Sequence, residues 1–293
     1  MKFLLTLSLS VFSLVSPVHA NALSLFDFAV YAKNNIEAEC SDFMGRTGAG
    51  GSVYLRDFLI QISPNELGCA LESNSSVQMR RGKIAFGSDV SCLAAQSFRN
   101  YDGDAGSLYS PSAPFESLNQ EMDSLSKKLA TRISNPNVKQ VTLEMTRVRA
   151  ERTIQLSGSA NQLLVLNILE SDVSFKNIGI HLKGSLLPKN IIWNFPNAKT
   201  LEISHAGVDP YGLPGTFLAP DAQVIFNNAR ITGALFADSI LGRADQMDCQ
   251  GGVSGQVNGA CLNAVIPGVG CGSTGNGGQH QHPHQHQQPK QWF

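Results

Sequence analysis

Six cysteines carry the most distinctive chemistry in this chain: Cys40, Cys69, Cys92, Cys249, Cys261 and Cys271. No two are spaced Cys-x-x-Cys, the arrangement typical of structural zinc sites. The expectation is oxidation to disulfides, which form and persist outside the cytosol. Three cysteines fall early and three late. With full pairing, at least one bridge must therefore join the two groups. Cys249 and Cys261 flank a Gly-rich loop and form the expected local pair.

Carboxylates are the next candidates. Glu37, Glu39 and Asp42 are close enough in sequence to supply an acid/base pair for glycoside hydrolysis, if their separation suits it. Asn100, Asp102 and Asp104 around Gly103 offer oxygen ligands to Ca²⁺, but the order is not that of an EF-hand loop, and a polar turn is expected instead. Asp209-Pro210 and Asp221 are read as turn residues. His280, His282, His284 and His286 alternate with Gln and Pro near the end of the sequence. Their imidazoles could bind Zn²⁺, Ni²⁺ or Cu²⁺ adventitiously. The expected folded domain holds only His181 and His205, with His181 in an alternating Ile-His-Leu stretch. No Gly-x-Ser-x-Gly, His-Glu-x-x-His or phosphate-binding loop is present. These residues therefore predict no catalytic site, no cofactor and no metal site in the folded domain.

Those side chains must be positioned by a β-rich scaffold. From Val138 to Leu241 short apolar segments recur, separated by Gly158, Gly179, Gly184, Asn197, Gly207, Pro220 and Gly233. The segments include Val141–Leu143, Thr153–Leu156, Leu163–Ile168, Val173–Phe175, Ile180–Leu182, Ile191–Trp193, Leu201–Ile203, Val224–Phe226 and Leu235–Ala237. Such spacing predicts a sandwich, barrel or solenoid. Corners made of Asn and Gly, rather than two-residue hairpin turns, favour a right-handed β-solenoid, with a β-sandwich as the alternative. Phe26, Phe28 and Val30 alternate like a strand, and Lys83–Phe86 is a strand expected to follow a turn at Gly82.

One segment has the helical period. Phe115, Leu118, Met122, Leu125, Leu129 and Ile133 share one face of a helix expected over about 114–134. Ser112 and Pro114 supply start signals and Asn135-Pro136 the stop. Its apolar stripe is read as packing onto the β surface.

Residues 1–20 read as a secretory signal: Lys2, an apolar run, Pro17, then Val18-His19-Ala20 as the cleavage site. Residues 21–248 form the expected β-solenoid domain, 249–271 a Cys/Gly-rich extension, and 272–293 a disordered Gly/His/Gln-rich tail. With 22 Lys+Arg against 23 Asp+Glu, the formal charge is −1, which gives no electrostatic basis for binding nucleic acid. Charged residues are only 15%, too few for a coiled coil, and 42% hydrophobic residues exclude a disordered chain. No second apolar run reaches membrane-spanning length, so no membrane span is expected after signal cleavage.

Three stretches together resemble the bacterial choice-of-anchor A family of surface-adhesin domains. The first is Ser41-Asp42-Phe43-Met44-Gly45-Arg46-Thr47-Gly48-Ala49-Gly50-Gly51-Ser52-Val53, after Phe28-Ala29-Val30-Tyr31. The second is Asn190-Ile191-Ile192-Trp193-Asn194-Phe195-Pro196-Asn197-Ala198. The third is Gly215-Thr216-Phe217-Leu218-Ala219-Pro220-Asp221-Ala222-Gln223-Val224, then Gly233–Ala237. The resemblance implies an ice-binding-like β-solenoid with a helix alongside. It implies attachment to an extracellular glycan or protein partner rather than catalysis. Within it Gly45, Gly50, Gly51, Trp193, Asn194, Phe195, Pro196 and Pro220 are expected to be fold determinants, with Pro220 ending a strand. The competing functions are a carbohydrate-active enzyme on the same scaffold and an ice-binding protein. Against the latter, Thr142 and Thr146 run into the charged stretch Arg147, Arg149, Glu151 and Arg152 instead of a regular Thr-x-Thr row.

Overall fold

The computed structural model describes residues 23–62, 69–86, 89–90, 93–102, 106–146, 152–204, 211–242 and 256–258. In chain order the strands begin with β1 (Val30–Ala32), β2 (Ile36–Met44), β3 (Thr47–Ala49), β4 (Val53–Ile62), β5 (Leu71–Ser73) and β6 (Ser76–Phe86). They continue with β7 (Asp89–Val90), β8 (Leu93–Ala94), β9 (Ser97–Asn100) and β10 (Leu108–Tyr109). Helix α1 (Phe115–Ala130) follows, then β11 (Val138–Thr142), β12 (Thr153–Gly158), β13 (Leu163–Asn167), β14 (Asp172–Ser174), β15 (Gly179–Gly184) and β16 (Ile191–Asn194). The last are β17 (Thr200–Ser204), β18 (Tyr211–Pro214), β19 (Thr216–Asn227), β20 (Ala229–Thr232), β21 (Leu235–Gly242) and β22 (Gln256–Asn258).

Among the described residues every strand pairing but one is parallel, the exception being β6 with β7. This is a β-solenoid and not a two-layer sandwich: successive coils hydrogen-bond to each other, and their inner rows share one core. One face runs β11, β13, β16, β19, β21, β1, β3, β5, β8, β10. A second, the open face, runs β14, β17, then the later halves of β19 and β21, then the early halves of β2, β4 and β6, then β9. The remaining face holds β18, β20, β22 and the later halves of β2, β4 and β6, while β12 and β15 pair separately.

The order of strands shows that the winding is discontinuous. The chain starts in the middle of the stack at β1 and winds outward to β10. It then crosses over through α1, resumes at the far end with β11, and winds back until β21 pairs with β1. Helix α1 is the return limb. Its 16 residues span about 24 Å at ~1.5 Å per residue, roughly five strand spacings. It lies across the strands of the first face, which is why those strands read as unbroken apolar runs: Leu163-Leu164-Val165-Leu166 in β13 and Ile191-Ile192-Trp193 in β16 are buried throughout. Leu164 and Trp193 point into the solenoid core, while Val165 and Ile192 pack with Leu118, Met122 and Leu125 of α1.

Several expectations are corrected. Leu25–Asp27 is a short 3-10 helix, so Phe26 does not belong to a strand and Phe28 precedes β1; both instead pack beneath α1. Helix α1 stops at Ala130, with Thr131 extended at φ −90° and ψ 159°. Ile133 reaches the helix cluster from the following loop instead. The residue capping the start is Pro114, and Ser112 makes no cap. Gly82 is inside β6, not in a turn before it. Pro220 is buried within β19 and ends nothing. The pairing with β21 slips between Ala219 and Gln223, so Pro220 sits at the corner where no ladder donor is required.

Candidate functional site

The open face is one of the two faces that α1 does not pack against. Its register puts one outward residue per rung into a single row: Ser174, Glu202, Ile225, Leu241, Glu37, Tyr54, Gln78 and Arg99. Beneath them Val173, Leu201, Val224, Ile240, Ile36, Val53 and Val77 form a continuous buried row. The period of two thus fixes which residues can touch a partner. A neighbouring outward row carries Glu39, Arg56 and Arg80, and Arg56 donates to Glu39 at 2.5 Å.

A shallow depression of about 360 Å³ opens where the two halves of the winding meet. It is lined by Asn34, Asn35, Glu37, Gln223, Asp238 and Ser239, over Ile240 and Leu241. Asn34 Nδ2 donates to Asp238 Oδ1 at 2.8 Å, and the Ser52 amide donates to Asn35 Oδ1 at 2.8 Å. Glu37 is exposed. Of the three carboxylates singled out in the sequence, the structure therefore leaves Glu37 in this depression, ties Glu39 to Arg56, and carries Asp42 past the corner onto another face, where β2 pairs with β22.

The motif residues are packed inside the scaffold and at its corners. Trp193 is fully buried and donates from Nε1 to the Pro214 carbonyl at 2.7 Å. Phe195 is buried beside it, in a cluster with Phe175 and Phe217, and Pro196 is half-buried at the next corner. Asn194 is buried yet fully used: it accepts from Ser126 Oγ at 2.6 Å, donates to the Ser126 carbonyl at 3.0 Å, and donates to Asn167 Oδ1 at 2.8 Å. Gly45 has φ +130°, and a Cβ there would fall 2.5 Å from the Cβ of Ala29. At Gly50 a Cβ would fall 2.2 Å from the Lys33 carbonyl oxygen, so only glycine lets these coils stack so closely. Gly51 lies against Asn34 and Asn35 in the same corner.

Sequence reasoning missed the polar clamps on α1, whose partners are far apart in the chain. The Tyr31 hydroxyl donates to Asn119 Oδ1 at 2.8 Å, and its burial raises its pKa far above the usual phenol range. Lys33 pairs with Asp123 and approaches Asp221 at 3.6 Å. Asn167 Nδ2 donates to the Leu129 carbonyl at 3.0 Å. Near the other end, buried Glu72 pairs with Arg46 and accepts from the Ala113 amide at 3.0 Å. Glu121 Oε2 accepts from the Leu25 amide at 2.9 Å. Burial raises the Glu121 pKa, the Leu25 amide partly opposes this, and the Asp27 charge adds to it. A raised carboxyl pKa means that the contribution to stability is greatest in acid and falls as pH climbs through that pKa. Glu121→Gln is therefore expected to flatten this loss, so that the gap between the melting temperatures of variant and parent widens in the variant's favour from pH 4 to pH 7. A gap that is constant across that range would contradict it.

Cys40 and Cys69 are both disulfide-bonded. Cys92, Cys249, Cys261 and Cys271, residues 1–20, Gly103 and Asp104, Arg147, Arg149 and Glu151, His205, Asp209 and the histidine tail all lie outside the described residues. Asp102 is exposed, and His181 is exposed on β15. Among the described residues no group of three or more His, Cys, Asp or Glu side chains is arranged to hold a metal ion, and no helix is long and apolar enough to cross a membrane.

In class this is a parallel β-solenoid braced by one helix, with one outward row of residues running along its open face. The chain belongs to the family described as "Putative Ice-binding-like adhesive domain", whose profile matches residues 22–247. That assignment supports the ice-binding-like, adhesive part of the resemblance drawn from the sequence. Among solved structures, the chain is similar to an ice-binding protein from the Antarctic ascomycete Antarctomyces psychrotrophicus, at 12% identity and TM-score 0.37, covering 74% of this chain and 94% of that one. It is also similar to an ice-binding protein from an Antarctic biological consortium, at 12% identity and TM-score 0.32, covering 74% of this chain and 86% of that one. No curated protein matches the chain.

Proposed function

We propose that the protein is an exported, non-enzymatic adhesive module that attaches to an extracellular target through its open face. The observation that carries this reading is the row from Ser174 to Arg99, where a rigid ladder presents a mixed polar and apolar strip along the whole solenoid. Contacts spaced regularly on a stiff support add without a fresh ordering cost at each one. Membership of an adhesive-domain family supports the same reading. A secretory reading of residues 1–20 and the disulfide-bonded state of Cys40 and Cys69 fit an extracellular site of action.

The row argues against an ice-binding role. It mixes Glu, Ile, Leu, Tyr, Gln and Arg, and so lacks the uniform small hydroxyl array that would order water. Fluorescently labelled protein is expected to coat bacterial cells or matrix-covered surfaces and to give no thermal hysteresis at the same concentration. Bare cells and matrix would refute attachment, and measurable hysteresis would restore the ice-binding alternative.

A further inference from the structure

We infer that the depression between β21 and β2 is a binding site for an uncharged saccharide unit, the specific contact within the broader adhesive face. This rests on the adhesive reading and assigns it a ligand class. Four observations carry it. First, the volume, about 360 Å³, lies at the lower end of the ~300–1,000 Å³ typical of small-ligand sites, and the depression is open enough to take one unit of a longer chain. Second, its polar groups are partly committed and therefore oriented. Asn34 holds one oxygen of Asp238, leaving the other free to accept, and the Ser52 amide holds Asn35 Oδ1, leaving that side chain's amide hydrogens to donate. Exposed Gln223 can both donate and accept, and exposed Glu37 offers two acceptor oxygens. Adjacent hydroxyls on a sugar ring need this mixture of donors and acceptors.

Third, apolar surface flanks the carboxylate. In the register Glu37 stands between Leu241 on one side and Tyr54 on the other, each one strand away, or roughly 4.8 Å. A half-buried tyrosine ring beside hydrogen-bonding groups suits a sugar, whose C–H face is apolar and whose rim is polar. Fourth, the lining contains Glu37 and Asp238 but no Lys or Arg. Nearby Lys33 is occupied by Asp123 and Asp221. The site therefore disfavours anionic glycans, whose carboxylates or sulfates would face two carboxylates without a counter-charge. A bound cation is a weaker reading, because the described residues form no metal-ligand cluster.

The test is saturation-transfer NMR and titration calorimetry on the full chain. The neutral probes are cellohexaose, laminarihexaose, mannohexaose and chitohexaose; the anionic probes are oligogalacturonate and hyaluronan oligosaccharide. At least one neutral probe is expected to bind. Tyr54→Ala and Glu37→Gln are each expected to weaken it about tenfold or more, a loss of ~1.4 kcal/mol or more, while His181→Ala, exposed on β15 away from the open face, leaves it within about twofold. Because Tyr54 is half-buried, Gln223→Ala at an exposed position provides a variant whose fold is not at risk. Absence of neutral binding, preference for the anionic probes, or variants that bind like the parent would each overturn the proposal. Cell coating that survives Glu37→Gln and Gln223→Ala would remove this site and leave the adhesive reading standing. Saccharide binding without coating would do the reverse.

Discussion

Replacing Glu72 with alanine is expected to lower the unfolding free energy by about 3–5 kcal/mol, because it breaks a buried ion pair by removing one partner. Glu72 is 1% exposed and its partner Arg46 is 7% exposed. One carboxylate oxygen meets the guanidinium, and the other accepts from the Ala113 amide at 3.0 Å and the Ser112 amide at 3.4 Å. The Arg46 guanidinium also lies 5.0 Å from the centre of the Phe28 ring. Removing the carboxylate therefore takes from the buried guanidinium the counter-charge that Glu72 supplies, and from two backbone amides their acceptor. The same carboxylate ties β5 to the residues entering α1. Beyond global stability, the variant should lose amide protection at Phe115 and Leu118 first. Urea titration gives the energy, and hydrogen exchange gives the location. The double variant Arg46→Met with Glu72→Leu should recover much of the loss, since replacing both charges with apolar groups of similar volume removes the desolvation penalty. A single variant costing under about 1 kcal/mol would show that the pair is not what fixes the helix entry.

Much of this architecture is legible in the sequence, and what is not has a physical cause. The helix shows because Leu118, Met122, Leu125 and Leu129 bury one stripe against a flat sheet, and that leaves a clean period. The strands show because their inner rows are apolar. The discontinuous winding does not show. Each coil presents a similar inner row to whatever lies above or below it, so nothing in Val30-Tyr31-Ala32 says that its neighbours will be β3 on one side and β21, some two hundred residues later, on the other. Asn194 and Asn167 look like polar residues closing apolar runs. Their role as clamps depends on Ser126 and Leu129 of a helix that the sequence places only as an element. Glu37 stands out as a carboxylate, and the structure changes its company: Glu39 is taken by Arg56, while Asn34, Gln223 and Asp238 come in from other corners. Chemistry assembled from separate coils cannot be read as a linear motif.

Trp193→Ala should cost about 3–5 kcal/mol, the loss typical of emptying a large aromatic site that cannot collapse. Trp193 is 0% exposed in the middle of the C-terminal half of the stack. Its ring stacks on Phe217 in the next coil, centroids 5.6 Å apart and 25° between planes, and meets Phe175 edge-on at 5.4 Å. Phe217 stacks in turn on Phe195 at 5.8 Å. Parallel strands on either side are hydrogen-bonded to fixed neighbours, so the backbone cannot move in to fill the space, and the cavity persists. The indole also donates to the Pro214 carbonyl at 2.7 Å, which Trp193→Phe would leave without that donor while keeping most of the stacking. The phenylalanine variant should therefore lose about 1–3 kcal/mol, and the difference between the two variants separates packing from the hydrogen bond. Because the solenoid is a stack of nearest-neighbour interfaces, the alanine variant should also reduce cooperativity, uncoupling the C-terminal coils from those around β1. A lower urea m-value, or two transitions in place of one, would report that uncoupling. A variant that melts in one step with an unchanged m-value and loses less than about 1.5 kcal/mol would show that the aromatic stack fills space without joining the coils.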